Sequence, residues 1–513
     1  MAPEPMRQLE DGENLEKRVS VYKDIVVTGV RDVPDSAAIC TAAISGRTLS
    51  KEESARLVRK IDFNLMPLLC IVYLVQFLDK VSLSYASIMG IRQDTNLDLS
   101  QYSWLGSIFY IGYLVGEWPT NYALQRLPLA KWSSANIFMW GGILACTAAC
   151  TEFKGLMVVR FLLGLCEACI TPSFSLVTAQ WYLKKEQGVR RGIWFSFNAM
   201  AMVVGAVMAW GLAKTGIEGG FAIAAWRVMF LLLGSITMAL GVILLIFLPD
   251  SPLNARFLNK EERLLAVERI RSNQSGIGNK AWKLYQFKEA LADPLTWLYC
   301  LASITLNIPN GGITNFFSII ITDMGYDPIT SLLYGAPAGA VVMAGVLSVM
   351  FLGDFTRMRI LCGCVGSLVG LMGVLLLWQL PMENQTGRLI GYYFVAVIIG
   401  GFTTVLSLIS SNVAGSTKKS TVTALFMISY AVGNVIGPQT FLDKDAPRYD
   451  TALIVFTACI IVAVLTMLAI WSVNVRRNRA NEAIRNAPGY VALQNQEFLD
   501  LTDRENPAFH YTC

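Results

Sequence analysis

Between Ile61 and Val473 the chain carries about a dozen separate apolar runs, each of about 20 residues, and a helix of about that length crosses a bilayer core of about 30 Å. Lipid offers no partner to a bare peptide group, so each run has to close its own hydrogen bonds as a helix. The expected fold class is an all-α integral membrane protein with twelve transmembrane helices in two six-helix bundles. Composition agrees: 54% of the 513 residues are hydrophobic and 15% are charged, against about 25% charged in soluble domains. A net charge of +5 gives no reason to expect a nucleic-acid partner. Nine of the 11 cysteines fall in or beside apolar runs, including Cys166 and Cys169. Thiols scattered in this way read as small packing residues rather than a redox pair.

The spans are expected near 62–83, 103–124, 131–151, 155–178, 192–213 and 225–248, then near 295–321, 330–352, 358–378, 388–411, 420–441 and 451–473. The domain plan is a polar N-terminal tail at 1–60 and a first bundle at 61–248. A central loop follows at 249–294, then a second bundle at 295–473 and a tail at 474–513. Both tails read as flexible, and the absence of a short apolar core near Met1 argues against a cleaved signal peptide. Basic residues crowd alternate loops. They include Lys184, Lys185, Arg190 and Arg191, eight residues from Arg256 to Lys288, Arg357 and Arg359, and Lys418 and Lys419. The positive-inside rule then places both termini and the central loop in the cytoplasm. In that loop, Asn259 followed three residues later by Glu262 reads as a capped start of a short helix over 259–271, bracing the two halves or lying on the membrane surface. Asn384-Gln-Thr386 is a glycosylation sequon on the opposite side, whereas Asn273-Gln-Ser275 faces inward.

A charge at mid-membrane costs at least about 2.5 kcal/mol, so each one calls for a reason. The candidates are Asp79 and Lys80 in the first span, Glu117 in the second, and Arg160 and Glu167 in the fourth. Arg160 and Glu167 are two helical turns apart and share a face, with Gly164 between them expected to keep it open. A guanidinium there can attract an anion, and a carboxylate nearby can take up and release a proton. The alternative is that such charges form ion pairs that lock helices together; for Asp79, Lys80 and Glu117, locking or gating is the preferred role. The single histidine, His510, lies in the tail, so any titrating group in the membrane has to be a carboxylate. No Walker loop or G-x-S-x-G is present, and neither catalysis nor a metal or cofactor is expected.

The seventh span is the least regular. Asn307, Pro309, Asn310, Gly311, Gly312 and Asn315 predict a kinked or unwound segment, which is tolerated at that depth only in protein or beside a wet cavity. Asn198 in the fifth span, with Tyr430 and Asn434 in the eleventh, are further candidates for the cavity wall.

The order of these features resembles the Major Facilitator Superfamily and, more narrowly, the fungal anion:cation symporters of the allantoate permease group. The resemblance runs over roughly 60–475. It rests on Asp79-Lys-Val-Ser-Leu-Ser-Tyr-Ala86, Arg160-Phe-Leu-Leu-Gly-Leu-Cys-Glu-Ala168, Trp226-Arg227, Leu248-Pro-Asp-Ser-Pro252 and Asn310-Gly-Gly312. After the second span, Gly116-Glu-Trp-Pro-Thr-Asn-Tyr122 resembles the degenerate form of the superfamily loop motif, and Asn121 supplies no carboxylate. The loop Gly353-Asp354-Phe-Thr-Arg357 keeps more of that motif, so gating is carried over to Asp354 and Arg357. The fifth span lacks the glycine-proline signature of drug antiporters, which weighs for symport.

The resemblance implies proton-driven uptake of a small organic anion by alternating access, in a monomer at the plasma membrane. Arg160 would bind the anion. Glu167 would carry the proton. Asn198, Asn307, Asn310, Asn315, Tyr430 and Asn434 would shape the cavity. Two other readings remain open: a metabolite exporter tied to a biosynthetic pathway, and a non-transporting nutrient sensor that uses the long tails.

Overall fold

A computed structural model describes residues 51–274, 282–486 and 500–513; of the expected tail at 1–60, residues 1–50 lie outside them and 51–60 are not a tail but the first turns of a helix, and Ser275 of the inward sequon also lies outside. Helices are the regular structure of the described residues, with no strand among them. In the first half they form α1 (Lys51–Ile88), α2 (Leu99–Arg126), α3 (Leu129–Cys146), α4 (Phe153–Glu167), α5 (Ile170–Trp181), α6 (Lys184–Ile217) and α7 (Ala225–Phe247). The pair α4 and α5 shares the fourth crossing. The central loop holds α8 (Lys260–Gln274) and α9 (Leu284–Ala292). The second half comprises α10 (Pro294–Asp323), α11 (Pro328–Tyr334), α12 (Ala336–Thr356) and α13 (Arg359–Gln379), then α14 (Gln385–Val395), α15 (Ile399–Asn412), α16 (Ser416–Gln439) and α17 (Asp450–Arg485). The eighth crossing is α11 with α12, and the tenth is α14 with α15.

Local chemistry starts these helices where it should. Asp98 and Gln101 exchange side-chain and backbone bonds at the head of α2, the reciprocal arrangement that satisfies two free amides. Asp293 and Asp327 cap α10 and α11, each followed by proline at the first helical position, where its missing N–H is no loss. Among the described helices, eight crossings are long and apolar enough to span by length and composition alone. The other four, α2, α3, α4 with α5, and α10, complete the twelve. Three of those four wall the site described below, and polar wall residues such as Arg160, Thr314 and Asn315 dilute their hydropathy.

Three expectations are corrected. The seventh crossing does not unwind: α10 runs unbroken through Pro309. Its paired glycines admit neighbours instead of breaking the helix. A Cβ at Gly311 would stand 2.7 Å from Asn434 Cα, and one at Gly312 would stand 2.5 Å from the Phe456 ring. The Nδ2 groups of Asn307 and Asn315 donate to Ser303 O and Gly311 O of the same helix, at 2.7 and 2.8 Å. Gly164 does not hold a face open, because a Cβ there would lie 2.0 Å from Phe109 O. It lets the backbones of α2 and α4 touch, as Gly112 does against Phe161 O at 2.1 Å. Thirdly, the C-terminal tail is ordered against the second bundle where it is described. Helix α17 continues to Arg485, and 500–513 fold back across the ends of α9, α15, α16 and α17.

The fold-back is held by buried charge. Lys418, 1% exposed, pairs with Asp293 at 3.0 Å, Glu289 at 2.9 Å and Asp503 at 2.8 Å. Arg477 joins Asp293 at 2.6 Å. Asn478 donates to Tyr511 O and accepts from Tyr511 N, both at 2.8 Å. Asn412 exchanges a like pair with Thr512. On the other half, α8 is tied to α1 and α6. Lys60 meets Glu262 at 2.6 Å, Arg269 meets Glu186 and Ser54, and Asn259 N donates to Glu262. Among the described residues, these ties of α8 run to the first bundle.

The two bundles meet at the end away from the central loop. Tyr102 donates to Asn315 O at 2.7 Å and Ser107 to Val435 O at 2.7 Å. Ser318 N donates to Ser84 Oγ at 3.1 Å, and Gln439 Nε2 to Ser107 Oγ at 2.9 Å. Tyr85 packs edge-on against Phe317, and Tyr102 against Phe316. At the central-loop end no hydrogen bond or ion pair joins the bundles among the described residues. The exposed cations Arg191 and Lys419 instead lie within electrostatic reach of one another there.

Candidate intramembrane site

The interior between the bundles holds a small chamber walled by Lys80, Leu105, Gly106, Phe109, Tyr110, Arg160, Thr314 and Asn315. Helices α1, α2, α4 and α10 each contribute to it. Lys80 hangs beneath two aromatic faces, its Nζ 5.6 Å from the centre of Phe109 and 5.9 Å from that of Tyr113. Such faces attract a cation by their quadrupoles. Arg160 is 3% exposed, and its Nη2 has no hydrogen-bond partner among the described residues. Two cations therefore stand on one wall, and one of them has a free donor. A guanidinium presents a planar fork of donors that matches a carboxylate.

The carboxylates stand behind those cations. Glu167, fully buried, accepts from Lys80 Nζ at 3.0 Å and from Gln76 Nε2 at 3.0 Å, and its second oxygen is unpartnered. Asp79 is also fully buried, with neither oxygen partnered among the described residues. Arg160 lies within electrostatic reach of both. The shared face expected for Arg160 and Glu167 is thus divided. Arg160 lines the chamber, while Glu167, at the last residue of α4 before the turn, reaches it only through Lys80.

A second, larger chamber adjoins the first at Thr314, which lines both. Asn310 lies on its wall and donates to Asn434 Oδ1 at 3.0 Å. Asn434 in turn donates to Asn307 Oδ1 at 3.4 Å. Asn307, Asn310 and Asn434 therefore form one amide chain joining α10 to α16. Tyr430, one turn before Asn434, meets Tyr110 with ring centres 6.1 Å apart and lies within electrostatic reach of Lys80.

The remaining candidates lie apart. Asn198 is partly buried on α6 and is not among the residues lining either chamber. Glu117 is partly buried, with no ion pair among the described residues; its backbone oxygen accepts from Asn121. Asp354 is exposed and pairs with Arg359 at 2.8 Å rather than with Arg357, which ends α12 in a left-handed conformation at φ 58°. Asn384 caps α14, accepting from Gly387 N at 3.0 Å. Gln76, Tyr110 and Thr314 were not singled out in the sequence. For Gln76 a signal existed, since it is a polar side chain one turn before Lys80 within an apolar run.

Twelve helical crossings around a charged, aromatic-walled interior define a polytopic membrane carrier. The sequence pattern described as Major Facilitator Superfamily matches residues 69–438. The chain is 39% identical over 507 residues to an uncharacterized transporter of Schizosaccharomyces pombe, covering 98% of each. It is 38% identical over 477 residues to the allantoate permease of Saccharomyces cerevisiae, covering 90% of this chain and 87% of that one. A bacterial homolog of the human lysosomal transporter Spinster superposes with a TM-score of 0.61 at 17% identity, over 79% of this chain and 95% of that one; at that identity the likeness concerns fold alone. The chain belongs to the Major Facilitator Superfamily and is a multi-pass membrane transporter for a small molecule.

Proposed function

We propose that the protein is a proton-coupled symporter that brings a small organic anion into the cell by alternating access, acting as a monomer in the plasma membrane. The observation that carries this reading is the pair of cations, Lys80 and Arg160, on one chamber wall, with a donor of Arg160 unpartnered. The likeness to a protein named allantoate permease supports a carboxylate-bearing substrate.

In this reading the anion and Glu167 compete for Lys80. Protonation of Glu167 weakens its hold on the Lys80 ammonium at 3.0 Å, and the freed ammonium joins Arg160 in binding the anion. When the anion leaves on the far side, Lys80 returns to Glu167 and the proton is released there. One proton then accompanies each anion, and neither buried charge stands uncompensated for long. Asn307, Asn310, Asn315, Tyr430 and Asn434 shape the wall, and Asp79 holds Arg160 in place by its charge. Glu117, Asp354, Arg357 and Asn198 act away from the chamber, in gating or helix packing.

The test is uptake of a panel of labelled organic anions by cells expressing the protein. Uptake is expected to rise on acidification, to collapse with a protonophore and to be lost in Glu167→Gln. Uptake insensitive to pH and protonophore would remove the coupling, and net loss of anion from preloaded cells would reverse the direction. Endoglycosidase treatment of the protein and of Asn384→Gln reports orientation: a gel shift that depends on Asn384 puts that end outside and the central loop in the cytoplasm.

A further inference from the structure

The two joined chambers differ in chemistry, and the difference bears on which anion fits. The first carries Lys80 and Arg160. The second is walled mainly by Phe77, Ile313, Phe317, Val342, Tyr392 and Ile399. Of its fourteen lining residues only Asn310, Thr314 and Tyr392 bear polar side-chain atoms. Two of these have already committed donors: Asn310 to Asn434, and Thr314 Oγ1 to Asn310 O at 2.7 Å. Tyr392 is 1% exposed, and its hydroxyl has no partner among the described residues. The wall's open hydrogen-bonding atoms are thus few: the oxygen and second N–H of Asn310, the Thr314 oxygen as an acceptor, and the Tyr392 hydroxyl. A ureido or amide-rich body placed there would lose more water than these few groups can replace, which costs about 1–3 kcal/mol per stranded group. An apolar body gains from leaving water.

Resting on the anion reading above, we infer that the substrate is an amphipathic anion. Its charged head sits between Lys80 and Arg160, and an apolar body extends past Thr314 into the second chamber. The chamber thus selects against small, wholly polar anions, including allantoate itself.

The experiment is calorimetric titration of the purified full chain in lipid nanodiscs, with empty nanodiscs subtracted. The probes are methane-, butane- and hexanesulfonate, which stay charged at all working pH values, together with allantoate and uncharged hexanol. Affinity is expected to rise about three- to fourfold for each methylene added, with hexanesulfonate binding tighter than both allantoate and hexanol. The rise per methylene should fall in Ile313→Thr and in Ile399→Thr, both at partly exposed wall positions. Arg160→Gln should lose the sulfonates. Two results would overturn the inference while sparing the anion reading: sulfonates that bind equally whatever their chain length, or allantoate binding tighter than hexanesulfonate. Hexanol binding as well as hexanesulfonate would overturn both, as would the absence of binding by every anion.

Discussion

Lys80 and Glu167 stand 3.0 Å apart, one on the chamber wall and the other sealed behind it. The pair is the hinge between a site that binds and a site that titrates. Lys80 faces the anion space and Glu167 does not, so any exchange between proton and anion has to pass through this ammonium.

Breaking that pair from one side strands a buried charge, which costs about 3–5 kcal/mol. Lys80→Met and Glu167→Met are each expected to lower the thermal unfolding midpoint of the purified protein sharply. The double variant should recover most of the loss, because it leaves no uncompensated charge. Additive losses in the double variant would mean that the two side chains do not act as a unit.

The closed end of the molecule depends on few bonds. Tyr102 donates to Leu83 O and Asn315 O, and only the second of these joins the bundles. Tyr102→Phe removes a bond of about 0.5–1.5 kcal/mol, which corresponds to about a 2- to 13-fold shift toward the state open at that end. Thiol labelling of Ser318→Cys, buried at this contact, should accelerate by that factor in the Tyr102→Phe background. An unchanged rate would show that packing, not this bond, holds the end shut.

Asp503 is 2% exposed and binds Lys418, Arg477, Ala414 N and the Tyr511 hydroxyl. Asp503→Asn is expected to destabilise the second bundle by about 1–3 kcal/mol. Replacing its exposed neighbour, Arg504→Ala, should change stability by less than about 0.5 kcal/mol. Differential scanning fluorimetry separates the two, and equal midpoints would deny the fold-back a structural role.

Acid should loosen the same region. Burial pushes the carboxyl of Asp293 up, but Arg477 and Lys418 outweigh it and hold it below the ordinary carboxylate value. A group depressed in the folded state adds stability above its unfolded pKa, about 3.9 for Asp. That stability disappears as pH falls through the folded value. The midpoint difference between the wild type and Asp293→Asn should therefore be flat from about pH 7 to pH 5 and shrink below about pH 4. A difference that instead grew on acidification would refute the sign.

Much of this molecule could be read from order along the chain. Hydropathy placed the crossings, because a lipid-buried backbone has one solution and its length is set by the bilayer. The rarity of charge in those runs singled out Lys80, Arg160 and Glu167, since intramembrane charge is too costly to be idle. The asparagines of the seventh and eleventh crossings were legible as candidates for a cavity wall, but not as bonded to one another across the two helices. What the chain could not declare is which neighbour each group faces. Gly164 looked like an opening and is a contact, because its role is set by the backbone of α2 at Phe109 and Tyr113, remote from it in the chain. Pro309 and its glycines looked like a break, yet α10 stays whole, and Gly311 and Gly312 give α16 and α17 close approach. The polar segment from Asp500 looked loose because its partners, Lys283, Gln286, Lys418 and Asn478, are spread over three helices and the approach to one of them. Helical periodicity put Glu167 on one face with Arg160; only packing in three dimensions put Lys80 in front of it. Residue type and spacing determine what a side chain can do, whereas distance between remote segments decides what it meets, and that distance exists only once the two bundles have folded together.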